Sequence, residues 1–133
     1  MRRNVRRHMD AIPESLIGNE FGWLSQDGAG HLAAFCTAGW GPVPVSILPH
    51  LDEERALFDP VLEFEDWAAP GFYVYDWKAH TGPYLRVHVP SQPLLVMDAP
   101  PEVRRLAGIA RLDLADFSRD KRLRVQEHIH CAV

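Results

Sequence analysis

The first third of the chain has the pattern of a β-hairpin. Aromatic and smaller residues alternate over about 20–26, which predicts a strand. Asp-Gly-Ala-Gly follows at 27–30, and these residue types accept the positive φ angles of a tight turn. Residues 31–37 are apolar enough to form the returning strand, so residues 20–37 predict an antiparallel hairpin.

Two later segments have the apolar spacing of helices. Leucine, valine and phenylalanine recur near helical spacing between 48 and 64, and the acids at 52–54 suit the positive end of a helix dipole. Pro60 must break or restart this helix, because proline has no amide hydrogen to donate. A second helix is predicted after Asp98, a good capping residue, with a proline at 100 or 101 in its first turn.

The remaining strands are predicted from short apolar runs. Residues 72–77 are rich in aromatic and β-branched side chains, and residues 84–89 return after a turn. A further apolar run lies at 94–97. Alternation at 111–114 and at 122–125 predicts a terminal hairpin.

The elements therefore have the order ββ-α-βββ-α-ββ. Hairpins with two intervening helices predict an α+β fold, with an antiparallel sheet of about six or seven strands and two helices on one face. A length of 133 residues is enough for a substantial core but short for two ordinary domains. We predict a flexible basic tail over residues 1–10 and a single α+β domain over residues 11–133.

Charge is unevenly distributed along the chain. Residues 1–10 carry four arginines and one aspartate, although the net charge of the chain is −4. Residues 52–66 carry seven acids and one base, which predicts either a solvated face or a docking surface for a basic partner. The acids are Asp52, Glu53, Glu54, Asp59, Glu63, Glu65 and Asp66. Nucleic acid is not an expected partner, because the basic residues are split between the first ten positions and the last third.

Composition also limits the compartment. No apolar stretch approaches the roughly 20 residues that a membrane-spanning helix needs, and no apolar segment follows the basic start as in a secretory signal. Two cysteines, Cys36 and Cys131, are too few for a disulfide framework. The sequence therefore predicts a cytoplasmic protein without a membrane partner.

Sequence motifs for catalysis are absent. The chain has no Gly-x-Ser-x-Gly, no phosphate-binding loop, no His-Glu-x-x-His and no Cys-x-x-Cys. Gly39-Trp40-Gly41 is followed by prolines at 42 and 44, which remove amide donors that a phosphate would need. This segment therefore predicts a tight corner, on which an exposed Trp40 would be a good interface anchor. We predict no catalytic residue and no cofactor.

Residue types that bind metals lie close together at the C-terminal end of the chain. His128 and His130 would share one face of an extended strand, with Cys131 beside them. A structural zinc site needs about four ligands, and no other histidine or cysteine is placed by sequence to complete one. We therefore predict no metal site. Cys36 lies in a predicted buried strand, where a thiol is usually inert.

One aromatic strand has two aromatic faces. In residues 72–77 successive side chains point to opposite sides, so both sides receive aromatic rings. If only one side is core, an aromatic row points outward and can bind a partner or a second copy of the chain.

Residues 23–44 and 71–76 carry a family resemblance. The segment His-Leu-Ala-Ala-Phe-Cys-Thr-Ala-Gly-Trp-Gly-Pro-Val-Pro at 31–44, preceded by Trp23, and Gly-Phe-Tyr-Val-Tyr-Asp at 71–76 are similar to small bacterial proteins that resemble immunity proteins of polymorphic or contact-dependent toxin systems. The resemblance covers about residues 20–117. It implies a protein that inhibits a toxin by occlusion, with no catalytic residues.

Our leading hypothesis is an immunity-type protein that neutralises a cognate toxin through an acidic and aromatic surface, which would suit a basic toxin. That surface would combine the seven acids of residues 52–66 with Trp40 and Trp67. One alternative is a small metal- or ligand-binding enzyme. Its site residues would be His31, Asp76, His80 and His88. The other alternative is a homodimeric scaffold formed through the outward aromatic row.

Overall fold

The computed structural model describes residues 9–10, 22–57, 71–78 and 82–127 of the chain. The strands are Met9–Asp10 (β1), Gly22–Gln26 (β2), Leu32–Cys36 (β3), Val43–Pro44 (β4), Tyr73–Asp76 (β5), Tyr84–His88 (β6) and Arg122–Leu123 (β7). The α-helices in this part of the chain are Leu51–Leu57 (α1) and Pro101–Ala107 (α2). Short 3-10 helices cover Val45–His50, Val96–Asp98 and Val125–Glu127.

The main sheet has five strands in the order β2-β3-β5-β6-β7. Two of the three predicted hairpins are confirmed: β2 pairs antiparallel with β3, and β5 pairs antiparallel with β6. β6 also pairs antiparallel with β7, whereas β3 and β5 are parallel. The fold is therefore α+β with a mixed sheet, and the prediction of one antiparallel sheet of six or seven strands is wrong in its detail.

The parallel pair follows from the connection between the two hairpins. A strand can pair in parallel with the next only if the chain returns to the starting end through a long crossover. Residues 37–72 provide that crossover, with β4, a 3-10 helix and α1 along its described part. The hairpin of β2 and β3 and the hairpin of β5 and β6 thus join side by side, with Ala33 beside Tyr73 and Cys36 beside Asp76.

The predicted terminal hairpin of 111–114 and 122–125 does not form. Leu112 makes a single parallel bridge to Asp27, and β7 pairs with β6 instead. The segment between is a series of turns that directs Leu112 and Phe117 into the core, where both are fully buried. The apolar run at 94–97 is also not a strand, since it leads into the 3-10 helix of Val96–Asp98.

The end of the predicted N-terminal tail is in contact with the fold. β1 and β4 form a separate two-stranded antiparallel ribbon, in which Met9 pairs with Pro44 and Asp10 with Val43. Residues 1–8 lie outside the described residues.

One face of the sheet is an aromatic ladder. Trp23, Phe35 and Tyr75 are neighbours across three strands, and their rings stack at centroid distances of 4.5 and 4.9 Å. Phe117 packs edge-on against the ladder from the turn segment above it. Such ring pairs contribute about 0.5–1.5 kcal/mol each beyond the burial of their area. This face is closed, so the rings lie in the core.

The opposite face of the sheet is covered by α2. Val103, Leu106 and Ala107 pack there in one cluster with apolar residues of β2, β3 and β5. Pro101 begins the helix, as predicted, where its missing amide hydrogen is not needed. α1 does not share this position: it lies at the β2 edge, and Leu51 packs against the aromatic cluster. The prediction of two helices on one face is therefore wrong.

Candidate functional site

The corner after β3 presents a tryptophan to solvent. Trp40 has 53% of its surface exposed, although it is flanked by buried glycines. The corner is closed by backbone bonds, because the amides of Trp40 and Gly41 both donate to the carbonyl oxygen of Thr37, at 3.0 and 2.8 Å. Ala38 and Gly39 have positive φ angles of 53° and 84°, as the chain reversal requires.

The same corner is fixed from below by Tyr84. The Tyr84 hydroxyl donates to the carbonyl oxygen of Pro42 at 3.0 Å, and burial raises the pKa of this hydroxyl so that it stays protonated. A Cβ at Gly41 would lie 2.5 Å from the hydroxyl oxygen, closer than any side chain tolerates. Only glycine therefore fits at this position, and Trp40 stands on a corner whose backbone is held by the core.

The acidic segment is only partly described. Asp52 is exposed on the first turn of α1, and Glu53 is half-buried beside it. Five other residues of the predicted surface lie outside the described residues: Asp59, Glu63, Glu65, Asp66 and Trp67. The structure thus describes Trp40, Asp52 and Glu53 as accessible members of the predicted surface.

Glu53 connects the two described helices. Its carboxylate accepts from Nδ1 of His50 at 2.9 Å and from the guanidinium of Arg105 on α2. These hydrogen bonds, first to His50 and then to Arg105, hold the pKa of Glu53 below its usual range. Because its carboxylate already accepts hydrogen bonds from these two side chains, Glu53 offers less to a basic partner than Asp52 does.

Glu54 points the other way and is fully buried. Its Oε1 accepts from the amide of Leu24 at 3.2 Å, on the outer edge of the sheet. A side chain without accessible surface cannot contact a partner, so Glu54 is a correction to the predicted acidic surface. The physical reason is helical spacing, which places neighbouring acids on different sides of α1.

An Asp-His pair at the first hairpin turn was not predicted. Asp27 is buried, and its carboxylate accepts the backbone amides of Ala29, His31 and Phe117 at 3.0, 2.8 and 2.8 Å. Its Oδ2 also lies 2.8 Å from Nδ1 of His31, which must donate because a carboxylate only accepts. Asp27 thus ties the hairpin turn to the segment before β7.

Asp116 adds a third possible metal ligand to this pair. Ligand atoms of Asp27, His31 and Asp116 lie within 4.8 Å of one another. However, both oxygens of Asp27 already receive two N–H donors each, and His31 uses Nδ1 as a donor. Asp116 accepts hydrogen bonds from the amide and the hydroxyl of Ser118, and these bonds lower its pKa. A cation here would have to displace donors that hold the turn, so the arrangement is better suited to a structural role.

The described residues of the alternative enzyme site do not all come together. His31 precedes β3, whereas Asp76 ends the parallel strand β5, so they lie at opposite ends of a sheet about 16 Å long. His88 pairs with Val74, and His80 lies outside the described residues. The same separation along β3 keeps His31 away from Cys36, so these two residues do not form a pair of nucleophile and base.

Asp76 has Cys36 as its neighbour on β3, and not His31. It lies beside Cys36 across the parallel pair, almost fully buried, and burial raises its pKa. Its Oδ1 has no hydrogen-bond partner within the described part of the chain. The predicted C-terminal group of His128, His130 and Cys131 lies outside the described residues.

The outward aromatic row does not exist in the described strands. Phe72, Tyr73 and Tyr75 are all buried, because both faces of the sheet are covered. The surface that the homodimer hypothesis requires is therefore missing from this part of the molecule. Large apolar side chains are exposed elsewhere, and Met97 and Leu114 show 72% and 77% of their surface.

Sequence reasoning missed Asp27 and the orientation of Glu54. The sequence places Asp27 only in a turn, and its partner Phe117 is 90 residues away, so no local pattern shows the contact. Glu54 had a usable signal, since leucines lie three residues before and after it on the same side of a helix.

Comparison with known proteins gives no relative: no protein-family model, no curated protein and no solved structure matches this chain. Among the described residues, no helix has the length and apolar character needed to cross a membrane.

Proposed function

We propose that this chain is a binding protein of the immunity type, which neutralises a protein toxin by covering the toxin's active site. The observation that supports the proposal best is Trp40, an exposed tryptophan on a corner that Tyr84 and Gly41 hold in one backbone conformation. Tryptophan is among the residues most enriched at the centres of protein interfaces.

The rigidity of the corner favours binding. A partner that covers Trp40 gains the contact area of a large ring without first ordering a mobile loop, so less entropy is lost on association. Truncation of such an anchor to alanine is expected to weaken binding by at least about 2 kcal/mol, or roughly 30-fold in Kd.

Charge supports a basic partner. Asp52 is an exposed acid on the short helix that follows the corner, and it opens the acid-rich segment of residues 52–66. Clustered charge of one sign attracts the opposite sign and mainly accelerates encounter. Replacement of Asp52 by lysine should therefore slow association more than it speeds dissociation, and salt should reduce the difference.

The test is affinity capture from a lysate of the source organism with three baits: the unaltered chain, Trp40→Ala and Met97→Ala. Met97 is a matched control, because its side chain is also large, apolar and exposed but lies in another segment. The proposal expects one stoichiometric protein that is retained by the unaltered chain and Met97→Ala and lost with Trp40→Ala. The captured protein should arrest bacterial growth when it is expressed alone.

Two results would overturn the proposal. The first is that no bait captures a protein at either about 50 mM or about 500 mM salt, which give weak and strong screening of charge, respectively. The second is a partner that Trp40→Ala binds as tightly as the unaltered chain does. In the second case the chain is still a binding protein, but its contact surface lies elsewhere.

A further inference from the structure

Glu54 is a buried acid whose surroundings do not stabilise a negative charge. It is fully buried on α1, and its Oε1 accepts the amide of Leu24 at 3.2 Å. Leu24 lies in β2, the edge strand of the main sheet, opposite Ala34 of β3. The bond therefore satisfies an outward amide of the sheet edge and fastens α1 to it.

The second oxygen of Glu54 is the notable atom. Oε2 is buried and has no hydrogen-bond partner within the described part of the chain. An ionised carboxylate with one buried oxygen unpaired is strongly unfavourable, whereas a neutral carboxyl group loses much less when it leaves water.

From this geometry we propose that Glu54 is a proton-dependent latch: in its neutral form it holds α1 against the β2 edge, and its ionisation releases the helix. The proposal does not depend on the identity of any partner. It concerns only the contact between α1 and the edge strand.

The charged groups around Glu54 do not neutralise it. On its own helix, Glu53 is a like charge that raises the pKa of Glu54, and Asp52 is a second acid two residues before Glu54. From α2, Arg105 acts in the opposite direction, but it is exposed and paired to Glu53 and to Glu102. His50, in the 3-10 helix before α1, is also paired to Glu53, and the facing strand Gly22–Gln26 carries no charged residue.

Burial outweighs these contacts. Desolvation is the largest influence and raises the pKa of Glu54 to about 8, against the hydrogen bond from Leu24, which lowers it. When α1 is released, the carboxyl group returns to water and to its ordinary pKa of 4.5. Between these two values the docked form keeps its proton and the released form does not, so release becomes more favourable as the pH rises.

The size of the effect follows from proton linkage. One proton is lost on release across this range, so the equilibrium constant for opening rises about tenfold per pH unit between about 5 and 8. Above pH 8 both forms are ionised, and the dependence levels off.

The direct readout is hydrogen exchange of the Leu24 amide, measured by NMR from pH 5 to 9 and corrected for the intrinsic exchange rate. In the unaltered chain we expect the protection factor to fall about tenfold per pH unit up to 8 and then to flatten. Glu54→Gln keeps the acceptor oxygen but has no proton to lose, so its protection factor should not change with pH. Glu53→Gln, at the half-buried neighbour, leaves the Glu54 carboxyl group in place and should keep the tenfold change per pH unit.

Three outcomes would overturn the proposal. One is the same pH dependence in Glu54→Gln as in the unaltered chain. Another is equal protection of the Leu24 amide and of the amides of β5 at every pH, which would indicate that Leu24 exchanges only when the whole sheet unfolds. The third applies even if Glu54→Gln does not fold: titration of the Glu54 carboxyl carbon in the unaltered chain with a midpoint below pH 6.

Discussion

Replacement of Asp27 by asparagine tests whether this buried carboxylate ties the first hairpin turn to Phe117, in the segment before β7. The change is nearly isosteric, so it alters hydrogen bonding without leaving a cavity. Oδ1 accepts the amides of Ala29 and His31, while Oδ2 accepts the amide of Phe117 and the ring Nδ1 of His31.

The expected loss of stability can be worked from these bonds. An asparagine has one acceptor oxygen, so in one orientation its NH2 group faces the amide of Phe117 and in the other it faces the amides of Ala29 and His31. His31 can adapt by changing its tautomer, but a backbone amide cannot. Each buried donor left without an acceptor is unfavourable by about 1–3 kcal/mol, so we expect Asp27→Asn to lower the free energy of unfolding by about 2–3 kcal/mol.

The assay is equilibrium unfolding in urea at pH 7, followed by tryptophan fluorescence, with Asp113→Asn as the matched control. Asp113 is a partly exposed aspartate that pairs with Arg111 on the surface, and its replacement should change stability by less than about 0.5 kcal/mol. If Asp27→Asn also stays within about 0.5 kcal/mol of the unaltered chain, the structural role assigned to Asp27 is refuted.

Three further predictions concern stability. The free energy of unfolding, measured in urea at several pH values, should fall by up to about 1.4 kcal/mol per pH unit between pH 5 and 8. This slope should disappear in Glu54→Gln, and an unchanged slope would contradict the role given to Glu54. Gly41→Ala should lower the free energy of unfolding by about 1–3 kcal/mol, because its Cβ would overlap the Tyr84 hydroxyl. The control Gly108→Ala, whose Cβ would lie 3.3 Å from its nearest atom, should change stability less, and equal melting temperatures of the two variants would refute the role of Gly41. Trp40→Ala should alter stability by no more than about 1 kcal/mol, and a larger loss in thermal unfolding would mean that Trp40 is a core residue.

The hairpins of the fold were predictable because their signals are local. Alternation with period two and Asp-Gly-Ala-Gly at 27–30 specify β2 and β3 within 15 residues of sequence. The parallel contact between β3 and β5 depends on where a crossover of more than 30 residues returns. No periodicity encodes that return, so an antiparallel arrangement was the natural but wrong expectation for a chain built from hairpins.

The candidate site was predictable to a similar extent. Trp40 between two glycines, with prolines after it, indicates a corner from sequence alone, and the structure adds that the ring is exposed. The acids of α1 could not be sorted by composition, because one residue of helical rotation separates Glu53, which pairs at the surface, from Glu54, which is buried. Composition counts charges, whereas burial depends on which side of the helix faces the sheet.

The most direct test of the proposed function is neutralisation of the captured partner in living bacteria. The partner is expressed from one inducible plasmid in a heterologous bacterium, and the unaltered chain, Trp40→Ala or Met97→Ala from another, at equal protein levels. We predict that the partner alone stops growth, that the unaltered chain and Met97→Ala restore it, and that Trp40→Ala does not. Equal rescue by all three chains would contradict the role of Trp40, and a partner that leaves growth unaffected would contradict the immunity function itself.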